Sequence, residues 1–208
     1  MLHMLGPAVL ARTLLPVGEM TKAEVRVRAS ALGLRTATKP DSQDVCFITA
    51  SGRASFLAAR IPLHPGRLVD ADSGDEVGAV DAVELVTVGQ HKGLGAAATS
   101  PDGSRRFVLD VDVAAATVTV GSLSGLFVDR VGVDGWTWAV TDPPASGTSV
   151  LVQCSAHGAT TPGVWHGSEV GLSLTEPIRR VAAGQSVVAY GLDNDTVLGG
   201  GIARKERR

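Results

Sequence analysis

The stretch Arg106-Phe107-Val108-Leu109-Asp110-Val111-Asp112-Val113-Ala114-Ala115-Ala116-Thr117-Val118-Thr119-Val120 holds two short apolar runs, Arg106 to Val111 and Thr117 to Val120, with a brief break between them. Runs of this length, alternating apolar with polar, are strands rather than helices. The same pattern extends outward from Arg67 in both directions of this stretch. Further strands are predicted at Arg67 to Asp70, Leu85 to Val88, Phe127 to Val133, Ser149 to Gln153, Glu169 to Leu174, Ser186 to Tyr190 and Thr196 to Ile202. Gly, Asp and Pro punctuate them, and Gly191 to Asp195 reads as the turn of a closing hairpin. Short, evenly spaced strands suggest barrels or sandwiches. A break at Gly121 to Gly125 divides them into a small central domain and a C-terminal one.

Before Arg67 the pattern is helical. Thr21-Lys22-Ala23-Glu24 fits a capping box, in which the threonine hydroxyl and the glutamate carboxylate each accept from the other's backbone N–H. Val25, Ala29 and Leu32 share one face of the helix that follows, and Gly33 stands where a left-handed cap is wanted. A second short helix at Arg53 to Ala59 would bury Phe56 and Leu57, and Pro62, Pro65 and Gly66 end helical structure. The fold class is thus mainly β with a short α-helical N-terminal segment. Three parts are expected, at residues 1–62, 63–123 and 124–208.

The 208 residues, 44% hydrophobic and 19% charged with 25 glycines, are those of an ordinary globular chain long enough for a substantial core. A net charge of -2 argues against a strongly basic nucleic-acid binder. Basic residues nonetheless cluster, at Lys22, Arg26, Arg28, Arg35 and Lys39 and again at Arg204, Lys205, Arg207 and Arg208. Two cysteines are too few for a disulfide framework, so a cytoplasmic location is expected. The apolar run Leu2 to Leu10 is too short for a membrane span and lacks a basic region before it, which predicts the edge of a buried element and no membrane association. Five scattered histidines with no metal-ligand spacing predict no metal site. Trp136 and Trp138, two apart, would share one face of a strand as core.

The candidate for chemistry is Cys46. In Lys39-Pro40-Asp41-Ser42-Gln43-Asp44-Val45-Cys46-Phe47-Ile48 a polar turn sets a thiol at the mouth of an apolar strand. A lone cysteine is commonly packing. Here Val45, Phe47 and Ile48 supply the burial, while Lys39 could lower the thiol pKa and Asp41 and Asp44 oppose it. Cys154, in a predicted strand, reads as structural. A second candidate is Gly89-Gln90-His91-Lys92-Gly93, whose glycines allow close backbone approach to a phosphate or base and whose Lys92 offers a charge; a ligand-free hairpin turn accounts for it equally.

These two stretches, together with Ala11-Arg12-Thr13-Leu14-Leu15-Pro16-Val17-Gly18, Thr21 to Arg26, Ala183 to Val188 and Val197 to Ile202, resemble the tRNA-specific 2-thiouridylases. The resemblance implies a small central β domain followed by a six-stranded β-barrel, with residues 1–62 as a remnant of the catalytic domain. It implies sulfur transfer to C2 of the wobble uridine of tRNA, with Cys46 as the persulfide carrier, Asp44 beside it, and Lys39, Gln90, His91 and Lys92 on RNA. A sulfur-donor or sulfur-relay protein is the implied second partner. It also implies Mg-dependent use of ATP in the full enzyme and release of product as a disulfide forms with a first cysteine. The family's Ser-Gly-Gly-x-Asp-Ser loop and that first cysteine do not occur in these residues, so ATP binding by this chain alone is not expected. His91 replaces the family's usual arginine. The competing reading is a tRNA-binding β-barrel module without catalysis, with Cys46 incidental.

Overall fold

The computed structural model describes residues 2–40 and 52–205, so the candidates Asp44 and Cys46, with Asp41, Ser42 and Gln43, lie outside the described residues. The chain forms two compact units. One is Ala11–Pro62; the other joins the residues before Ala11 to those from Leu63 onward. A 3-10 turn, Leu2–Met4, and a short helix α1 (Pro7–Leu10) belong to the second.

In Ala11–Pro62 the helices are α2 (Lys22–Ala31) and α3 (Gly52–Ala58). The predicted capping box opens α2, with the Glu24 N–H donating to Thr21 Oγ1 at 3.3 Å and the Thr21 N–H to the Glu24 carboxylate at 2.7 Å. Gly33, at φ +67°, closes it as the sequence predicts, because only the left-handed conformation lets the Gly33 and Leu34 N–H groups return to Ser30 and Ala29. No side chain of α2 or α3 is fully buried, Leu32 being 68% exposed and Phe56 and Leu57 half-buried.

From Leu63 onward the chain is β. Strands β1 (Gly66–Asp70), β2 (Glu76–Val80), β3 (Phe107–Asp112) and β4 (Thr117–Gly121) form a four-stranded sheet in the order β2-β1-β4-β3, with β1 and β4 parallel. Leu68, Val83, Leu94, Val108, Val118 and Val120 make its core. The predicted strand at Leu85 to Val88 is instead a 3-10 turn, Val83–Leu85, and a loop. Val83 drops fully into the core while the Glu84 carboxylate accepts from the His64 N–H at 3.1 Å, which holds the backbone in a turn. Strand β2 is absent from the predicted set: Val77, Gly78 and Val80 are half-buried and Ala79 is exposed, so it shows no clean alternation, and Gly78 lies against Ala97.

The C-terminal strands are β5 (Phe127–Val131), β6 (Val133–Trp138), β7 (Thr148–Gln153), β8 (Thr161–Trp165), β9 (Leu172–Arg179), β10 (Ser186–Tyr190) and β11 (Val197–Ala203). The expected six-stranded barrel is corrected to an open seven-stranded sheet in the order β5-β9-β8-β7-β10-β11-β6. The cause is Gly132. There the predicted strand Phe127 to Val133 breaks in two, the Gly132 carbonyl accepts from the Arg204 N–H at 2.9 Å, and the halves pair with different partners, β9 and β11. The predicted strand at Glu169 begins at Leu172, because Gly171, at φ +89°, turns the chain first. The hairpin at Gly191 to Asp195 forms as predicted between β10 and β11. Valines 131, 133, 150, 152 and 187 fill the concave face with Trp165, and Trp136 and Trp138 pack on it as predicted, with ring centroids 4.5 and 5.1 Å from that of Trp165.

Candidate functional site

The loop Val88–Gly95 is suspended from the start of β3. The Gly89 N–H donates to the Val108 carbonyl and the Val108 N–H to the Gln90 carbonyl, each at 2.8 Å. Positive φ angles at Gly89, Gly93 and Gly95 let the chain turn away and return, and Leu94 plugs the loop into the core at 2% exposure.

The three candidates in this loop differ in what they have left to offer. Gln90 is spent on the loop itself: its Oε1 accepts from the Thr87 N–H at 3.1 Å and its Nε2 donates to the Lys92 carbonyl at 2.8 Å. His91 rests on Phe107, ring centroids 5.7 Å apart. Lys92 is exposed and has no carboxylate partner among the described residues. An exposed ammonium on a rigid loop is suited to a phosphate contact. Lys39 is exposed on the other unit, where its carbonyl accepts from Arg26 Nη2 at 3.1 Å.

The four-stranded sheet holds a feature the sequence reading missed. Arg106, just before β3, and Asp70, the last residue of β1, flank β4 from opposite sides and form a buried ion pair, with Nε at 2.9 Å and Nη2 at 2.7 Å from Asp70 Oδ2. Arg106 Nη1 donates to the Thr99 carbonyl at 3.0 Å. The Asp70 carboxyl is held below its ordinary pKa by the backbone N–H groups of Ser73 and Asp72 and then by Arg106. The available signal was an acid ending one predicted strand and a base opening another; only the strand order brings them together.

Cys154 follows β7 and packs against the C-terminal core as a free thiol. Burial pushes its pKa up to about 11, so at neutral pH almost none of it is thiolate. That fits the structural reading of this cysteine. Among the described residues no helix is long and apolar enough to cross a membrane.

Three family models match the chain in succession: a tRNA methyl transferase HUP domain over residues 1–50, a tRNA methyl transferase PRC-barrel domain over 54–122, and an aminomethyltransferase beta-barrel domain over 128–203. The tRNA-specific 2-thiouridylase MnmA of Rhodococcus jostii is 40% identical over 196 residues, covering 92% of this chain and 54% of the relative. That of Frankia casuarinae is 41% identical over 202 residues, 96% of this chain and 56% of the relative. That of Beutenbergia cavernae is 42% identical over 206 residues, 95% of this chain and 53% of the relative. The chain therefore spans just over half the length of these relatives. Aligned along nearly all of its own length with three successive domain models and with relatives of this identity, the chain belongs to the tRNA-specific 2-thiouridylase family.

Proposed function

We propose that this chain is the C-terminal, sulfur-bearing part of a tRNA-specific 2-thiouridylase, in which Cys46 carries sulfur as a persulfide and delivers it to C2 of the wobble uridine. The observation that carries this reading is the chain-long identity of about 40% to proteins of that name. A second observation supports the choice of cysteine. The chain has two, and the thiol of Cys154 is buried and protonated, which leaves Cys46 as the one able to act as a nucleophile. Asp44 lies close in sequence to the thiol and is proposed to orient the substrate base. On the RNA side Lys92 and Lys39 supply charge, His91 with Phe107 an aromatic surface, and Gln90 holds the loop in shape. Residues 1–62, 63–123 and 124–208 are proposed as the catalytic remnant, the central β domain and the barrel-like domain of a cytoplasmic protein that receives its sulfur from a donor or relay protein.

The glycine-rich loop Val88–Gly95 does not fit the phosphates of ATP. It spends its glutamine on its own backbone and runs into a four-residue 3-10 turn, Gly95–Ala98, which offers no row of helix N–H groups to phosphates. ATP and Mg binding in the full enzyme are therefore not assigned to this loop.

The test is substitution of Cys46 in the full-length enzyme, with the modified nucleosides of the tRNA read by mass spectrometry. Cys46→Ser abolishes 2-thiouridine while leaving tRNA binding within severalfold, since a hydroxyl keeps the volume but cannot form a persulfide. Cys154→Ser leaves thiolation intact and costs about 1 to 2 kcal/mol of stability. Full thiolation by the Cys46→Ser enzyme overturns the reading in favour of a module that only holds tRNA.

A further inference from the structure

Between the four-stranded and the seven-stranded sheets lies a cleft of about 270 Å³. Val83, Val111 and Val181 give it an apolar wall, and Arg130, Arg180, Arg204 and Lys205 reach it against only two carboxylates, Glu84 and Asp110. Most of these charges are already engaged. Lys205 Nζ is 3.3 Å from Asp110 and 3.6 Å from Asp112, Arg204 is 3.6 Å from Asp134 and donates to the Glu169 carbonyl, and Glu84 meets His64 Nδ1 at 2.8 Å.

Arg130 and Arg180 remain. Neither has a carboxylate partner among the described residues, and Arg180 Nε is buried with no hydrogen-bond acceptor at all. A buried N–H donor without an acceptor is costly, and at the half-buried Arg180 it calls for a partner such as a bound anion or water. The backbone at this position is anchored, since the Arg180 main-chain N–H donates to the Leu126 carbonyl at 2.6 Å just after β9. The guanidinium that lines the cleft is a planar fork of N–H donors, the geometry that matches a phosphate.

We propose that this cleft is a phosphate-binding site, with Arg180 and Arg130 as its anion ligands and the valine wall set against the body of the nucleotide that carries the phosphate. The phosphate is either part of an RNA backbone or that of a free nucleotide. The first source rests on the tRNA reading above; the second does not.

The experiment titrates the full 208-residue chain with unmodified tRNA over a salt series and, separately, with inorganic pyrophosphate. The variants are Arg130→Ala, at an exposed position, and Arg180→Met, which keeps the side-chain length while removing the unpaired buried donor. Arg105→Ala, exposed and outside the cleft, is the control. With an RNA source, Arg130→Ala and Arg180→Met each weaken tRNA binding about tenfold and lower the slope of log K against log salt by about one, and Arg105→Ala does neither. With a free-nucleotide source, tRNA binding is unchanged but pyrophosphate binding is lost in both variants. In either case Arg180→Met unfolds at no lower denaturant concentration than the parent, which separates lost binding from lost fold. A parent chain that binds pyrophosphate but not tRNA sinks the tRNA reading and leaves the phosphate site standing. Binding of both ligands unaffected by the two cleft variants, or absent from the parent chain, overturns the proposal.

Discussion

Arg106 and Asp70 show how much a single pair decides in the central sheet. Both are nearly buried, at 7% and 9% exposure, and between them they satisfy the backbone N–H groups of Asp72 and Ser73 and the carbonyl of Thr99. The pair therefore ties the β1–β2 turn and the segment before β3 to one point beside the end of β4. Truncating one partner leaves the other as a buried, uncompensated charge, so Arg106→Leu costs about 3 to 5 kcal/mol and the double change Arg106→Leu with Asp70→Leu costs less than the sum of the single ones. Urea denaturation of the three variants measures this. The pH dependence has a fixed sign. The folded carboxyl titrates below its ordinary value, so its contribution is complete at pH above about 4 and is lost as pH falls through the lowered folded pKa. A parent protein that loses no more stability than Asp70→Asn between pH 5 and pH 2 contradicts this account.

Among elements, the 3-10 turn Leu2–Met4 is the one whose place its sequence least announces. Its His3 is buried at 7% exposure with neither ring nitrogen hydrogen-bonded, and it lies in a niche of β11 that exists only because residue 200 is glycine: a Cβ there would run into the His3 ring and the Val187 carbonyl. Burial holds the imidazole below its ordinary pKa. The unfolded chain takes up that proton first, so docking of this turn is fully stable above about pH 6.5 and weakens as pH falls below it. The protection factors of residues 2–10, each rate divided by the intrinsic amide rate at that pH, should fall between pH 7 and pH 5 in the parent and not in His3→Leu, and Gly200→Ala should release the segment at any pH; equal pH dependence of protection in parent and His3→Leu sinks this reading. What was legible in advance follows the same logic. The capping box of α2, the Gly33 cap and the β10–β11 hairpin were readable because each is specified by residues within a few positions of one another. The false strand at Leu85 to Val88 and the missing β2 were not, because a buried Val83 and a Glu84–His64 contact from across the turn override local pattern. The site divides likewise: the Val88–Gly95 loop was visible as glycines around polar residues, whereas the Asp70–Arg106 pair and the Arg130–Arg180 cleft needed strand order to exist.

For the molecule as a whole, burial is unevenly shared. Most of the buried apolar residues from Leu68 onward build two clusters, one on each sheet, while Ala37 is the one fully buried apolar residue among those described in Ala11–Pro62. Leu14, Leu15 and Val27 in that unit are 86%, 63% and 71% exposed. Since buried apolar area is the main term opposing chain entropy, the two units must differ in local stability. Ala11–Pro62 holds its helices by caps and short-range bonds, worth about 1 kcal/mol each, and opens without disturbing the sheets. The described residues from Leu63 onward open only when a sheet core is lost. Hydrogen exchange followed by mass spectrometry on the 208-residue chain therefore gives two classes of peptide: those from residues 11–40 and 52–62 exchange early with low protection, and those from β3, β4, β7, β10 and β11 exchange last. Added urea narrows the gap, because opening of the sheets exposes much new surface and its free energy falls steeply with urea, while opening of the first unit exposes little and barely responds. Uniform protection across both units, with one shared urea dependence, would show that Ala11–Pro62 draws its stability from the sheets and contradict a division set by burial.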